Sequence, residues 1–63
     1  MCEANVYINT VEGKEELIME GVNILRPEEN GIHLQSIFGE QKVVKARIKE
    51  MQMVDHRIIL EAD

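Results

Sequence analysis

The sequence predicts an all-β fold, a small barrel of about six or seven short strands. Three observations carry the prediction. Apolar and polar residues alternate with period two over much of the first two thirds of the chain. Turn residues fall at short, even intervals, with Gly13, Gly21, Gly31 and Gly39 between apolar runs. Short strands of this kind leave exposed edges unless the sheet closes on itself, which favours a barrel.

Each element follows from its pattern. Ala4, Val6 and Ile8 point one way while Glu3, Asn5, Tyr7 and Asn9 point the other, the signature of a half-buried strand. A turn follows at Glu12 and Gly13. Leu17 and Met19 then alternate with Ile18 and Glu20, and beyond Gly21 the pair Val22 and Ile24 alternates with Asn23 and Leu25. Pro27 cannot donate to a ladder, so it marks an edge or a strand end. Asn30-Gly31 between two apolar runs is the strongest hairpin signal, predicting a tight reversal into Ile32, Leu34, Ser36 and Phe38, a run that Gly39 ends. Asp55 and His56 lie between Met51/Met53 and Ile58/Leu60, consistent with a second hairpin.

Residues 40–53 satisfy two patterns. Val44, Ile48 and Met51 stand at helical spacing among good helix formers. The same segment reads as strand if Val44, Ala46 and Ile48 share one phase, Met51 and Met53 share the other, and a bulge near Lys49 and Glu50 takes up the slip. Local pattern leaves both open, and the strand spacing elsewhere favours β.

At 63 residues the chain is expected to be one domain, residues 1–63, with marginal stability of its own. One cysteine makes no internal disulfide, which leaves a metal or an oligomer as the staple. With no signal-like or long apolar segment, a cytoplasmic, soluble protein without membrane contact is expected. A formal charge of −5 disfavours nucleic acid. The local exception is Lys42, Lys45, Arg47 and Lys49 in segment 42–49, for which a solvated face outweighs RNA contact. Tyr7 and Phe38 are too few to stack bases. No nucleophile with a base, carboxylate pair or phosphate loop stands out, so the chain does not read as an enzyme. His33 reads as an outward-facing strand residue and His56 as a turn residue, both more in keeping with plain surface histidines than with ligands. Met51 and Met53 read as core filler.

Cys2 is the residue that stands apart. If Met1 is removed, its thiol and α-amine close a five-membered chelate ring, and both groups lose protons to a metal readily. Planar N/S coordination of that kind favours nickel or copper over zinc.

Four blocks carry a resemblance: the opening Met-Cys-Glu-Ala-Asn-Val-Tyr, the Glu-Asn-Gly-Ile-His-Leu hairpin, the Ile-Phe-Gly-Glu turn, and the closing run from Ala46 to Glu61. Together they resemble the CooT family of small nickel-binding proteins over essentially the whole chain. The resemblance implies an SH3-like or Sm-like barrel, a homodimer, and Ni(II) bound through Cys2. It further implies a nickel chaperone for carbon monoxide dehydrogenase maturation, with that nickel enzyme or its maturation factors as partners. It also tips residues 40–53 toward strands. On this basis the two Cys2 thiolates of a dimer are expected to share one Ni(II), with terminal amines or backbone nitrogens, that of Glu3 among them, completing a square-planar site. If Met1 is retained, the Cys2 amine is an amide, and thiolate and backbone nitrogen coordinate. The other reading is an Sm-like RNA-binding module using segment 42–49.

Overall fold

A computed structural model of the chain describes residues 3–62. Six strands and no helix are found among them: β1 (Ala4–Asn9), β2 (Glu15–Glu28), β3 (Gly31–Ser36), β4 (Gln41–Val44), β5 (Ala46–Gln52) and β6 (Arg57–Ala62). They form one sheet in the order β4-β3-β2-β1-β6-β5, antiparallel throughout except for the parallel pair β1 and β6.

The alternation read in the sequence produces the core. Val6, Met19, Val22, Ile32, Leu34, Ala46 and Leu60 form one buried cluster, against which Ile8, Ile18, Leu25, Val44 and Ile58 pack. Strand β2 is a single bent ribbon. Its first half pairs with β1 up to Val22↔Ala4, and from Val22 onward it pairs with β3. The bend falls at Gly21, whose φ of 64° is costly for any residue with a Cβ. Its N–H donates to the Asn5 side chain at 3.3 Å, and its carbonyl accepts from Ile37 N–H at 2.8 Å. Pro27 lies near the end of the half that has one neighbour, where a missing N–H is tolerated.

Residues 40–53 are strands. β4 and β5 are separated by Lys45 alone, yet they occupy opposite edges of the sheet. One residue can join opposite edges only if the sheet curls until they meet, and β5 accordingly lies against β3. The sheet is thus curled but not closed into the expected barrel: no hydrogen-bonded ladder pairs β4 with β5, and the two edges are linked only by the chain at this corner. Gly31 makes the corner possible: a Cβ built on it would lie 2.3 Å from the carbonyl oxygen of Val44. The bulge expected near Lys49 is present, as the β5/β6 register shifts between Ile48 and Glu50.

Three expectations need correction. The strand after the hairpin stops at Ser36, and Phe38 stands 78% exposed in the following turn. The buried Ser36 hydroxyl accepts from the N–H groups of Phe38 and Glu40, both at 3.1 Å, and so turns the chain two residues early. Leu17 does not share the buried face of Met19, because the β1/β2 register shifts between them. Met51 and Met53 are not core filler: they are 53% and 74% exposed. The bulge at Lys49 changes the phase of β5, and Met53 has already entered the turn.

Candidate functional site

Glu3 is exposed and stands immediately ahead of β1. Cys2 lies outside the described residues. Glu3 borders a trough of about 230 Å³ whose lining is mostly apolar and includes Ala4, Val22, Leu25 and Ile58. Met51, Met53 and His56 form the side contributed by the β5–β6 hairpin.

Backbone hydrogen bonds hold that hairpin in place. His56 N–H donates to the Met53 carbonyl at 3.3 Å, and the His56 carbonyl accepts from Asn5 N–H at 2.8 Å, tying the turn to β1 beside Glu3. His56 takes φ 54°, the one positive φ at a non-glycine among the described residues. Next to it Arg57 fixes the rim. Its guanidinium lies 4.6 Å from the centre of the Tyr7 ring, donates to Gln52 at 3.4 Å, and pairs with Glu15.

The other residues singled out in the sequence are dispersed. His33 lies on β3 between buried Ile32 and Leu34, its Nε2 3.3 Å from the Gln41 side-chain oxygen. Among the described residues, no group of three or more His, Cys, Asp and Glu is placed to hold a metal. The basic segment is split between two edge strands. Lys42 donates to the Ile18 carbonyl at 3.2 Å, and Arg47 engages Glu61 with bonds of 2.6 and 3.1 Å. The Arg47 bond and charge, with a smaller contribution from Lys49, hold the Glu61 carboxyl below its ordinary pKa. Ser36 is absorbed in turn formation. No helix of the described residues is long and apolar enough to cross a membrane.

The trough itself was missed in the sequence. Its signal lay in the slip at Lys49, which takes Met51 and Met53 out of phase with Val44 and Ala46.

A family model described as the CO dehydrogenase accessory protein CooT matches residues 1–61. The chain belongs to the CooT family. A crystal structure described as a CooT from Carboxydothermus hydrogenoformans is 50% identical and superposes with a TM-score of 0.90, covering 98% of each chain. No curated protein matches. The CooT match takes in Cys2 and Glu3, strands β1 to β5 and β6 as far as Glu61, so the resemblance seen in the four sequence blocks extends through the curled sheet and its Lys45 corner.

Proposed function

We propose that this CooT-family chain is a non-catalytic, cytoplasmic accessory protein that carries Ni(II) for the maturation of a carbon monoxide dehydrogenase. It acts as one domain over residues 1–63 and as a homodimer. Nickel is cargo, held by the Cys2 thiolates of the two protomers with backbone nitrogen, that of Glu3 included. The observation that carries the reading is the family match over residues 1–61, which includes Cys2.

Coordination chemistry supports the choice of metal. A thiolate with deprotonated nitrogen donors gives a strong planar field, which suits Ni(II) better than Zn(II). Loss of thiol and amide protons makes affinity rise with pH. A core of few buried side chains gives the chain reason to associate.

Isothermal titration of Ni(II) into wild type and Cys2→Ser tests the reading. Binding that weakens sharply in the variant, with affinity rising from pH 6 to about pH 8 in wild type, is the expected result. Equal affinities would overturn it.

A further inference from the structure

The β5–β6 hairpin carries a donor set that nickel binding through Cys2 does not use. Met51 and Met53 are largely exposed, where an apolar side chain gains little from burial. Both face the same trough as His56. His56 sits at φ 54°, in the left-handed region where histidine is enriched alongside asparagine, and its imidazole makes no hydrogen bond within the described residues. An imidazole with no partner on a cavity wall is available to a ligand. The backbone around these side chains is fixed by the Met53–His56 and His56–Asn5 hydrogen bonds, so the three donors are presented from a turn tied to β1.

We propose that Met51, Met53 and His56 form a second metal site, one that takes a soft monovalent cation of the Cu(I) or Ag(I) class. Two thioether sulfurs and one neutral imidazole nitrogen supply three uncharged, polarizable donors. Thioethers select Cu(I) over hard or borderline divalent ions, and a three-donor set satisfies a monovalent d10 ion without demanding planar geometry. Ala4, Val22, Leu25 and Ile58 add an apolar lining to the same trough. Ni(II), which prefers the thiolate and nitrogen donors of Cys2 and Glu3, is not drawn to this set. The site does not require the nickel reading to be correct.

The test uses full-length Cys2→Ser, which removes the thiol that would otherwise dominate Ag(I) binding. Ag(I) is titrated in while the methionine methyl and histidine ring NMR signals are followed. One Ag(I) per chain is expected, shifting Met51, Met53 and His56 while Met1, Met19 and His33 stay in place. Met51→Leu and Met53→Leu preserve volume, and His56→Asn tolerates the positive φ. Each is expected to weaken Ag(I) binding by about tenfold or more. In the Cys2-containing protein the same three substitutions are expected to leave Ni(II) affinity unchanged. Absence of Ag(I) binding in Cys2→Ser would overturn the proposal, as would affinity indifferent to the three substitutions. Nickel binding lost in Cys2→Ser alongside no Ag(I) site would leave the nickel reading standing by itself.

Discussion

Replacing Gly31 by alanine should cost this fold more than any other single methyl group. The backbone there has φ 139°, a region that side-chain-bearing residues rarely adopt, and holding alanine in it costs about 1–3 kcal/mol. The new Cβ would stand 2.3 Å from Val44 O and 3.0 Å from Val44 C. These are backbone atoms at the corner where Lys45 links the two sheet edges, so no rotamer change relieves the contact, and overpacking adds about 1–3 kcal/mol. Alanine also restricts the unfolded chain, which returns about 0.4–1 kcal/mol. The net loss is about 1–6 kcal/mol, against a total of about 3–9 kcal/mol for a chain of 63 residues. Urea unfolding followed by circular dichroism at fixed protein concentration reads this directly, and in a thermal melt the midpoint should fall by about 4–8 °C for each kcal/mol lost. Gly13→Asn is the control, because φ is 82° there, a region asparagine tolerates, and nothing lies within 4 Å of a built Cβ. Gly31→Ala within about 1 kcal/mol of wild type would refute the argument that the corner is closed by direct backbone contact.

Three further outcomes follow from the same geometry. Ser36→Ala removes the acceptor for Phe38 and Glu40 N–H and should lower stability by about 1–2 kcal/mol in thermal melts; no change would mean that water replaces the hydroxyl fully. Leu34→Ala empties the centre of the core, at a cost of about 2–5 kcal/mol, enough to leave much of the protein unfolded by far-UV circular dichroism. Arg47 lowers the Glu61 pKa, so the pair's contribution is present above the unfolded carboxylate pKa and is lost as pH falls through the lower folded value. Carboxyl NMR titration of Arg47→Gln should therefore move the Glu61 midpoint upward, and high salt should reduce the difference between variant and wild type.

Strand positions were legible in the sequence because alternation is local. Ala4 to Asn9 and Ile32 to Ser36 could be read from period two, and the slip at Lys49 could be read because it shifted the phase of apolar residues. What was not legible depended on partners distant in the chain. The exposure of Leu17 follows from a register shift against β1, and that of Phe38 from a hydroxyl that ends β3 early. The requirement for glycine at position 31 comes from Val44, as much as from the hairpin turn that marked it. The link through Lys45 between unpaired edges was hidden for the same reason, since no local pattern reports that β4 and β5 lie on opposite edges. Of the candidate site, Cys2 and Glu3 drew notice through their chemistry and position. The trough beside Glu3 needed the packing of β1, β2 and the β5–β6 hairpin.

Native mass spectrometry of the full chain with added Ni(II) tests the central claim most directly, because it reads metal stoichiometry, association and removal of Met1 in one spectrum. One nickel per pair of chains is expected for wild type, and a metal-free spectrum for Cys2→Ser at the same nickel concentration. Nickel retained by Cys2→Ser at the wild-type stoichiometry, or bound only to single chains, would contradict it.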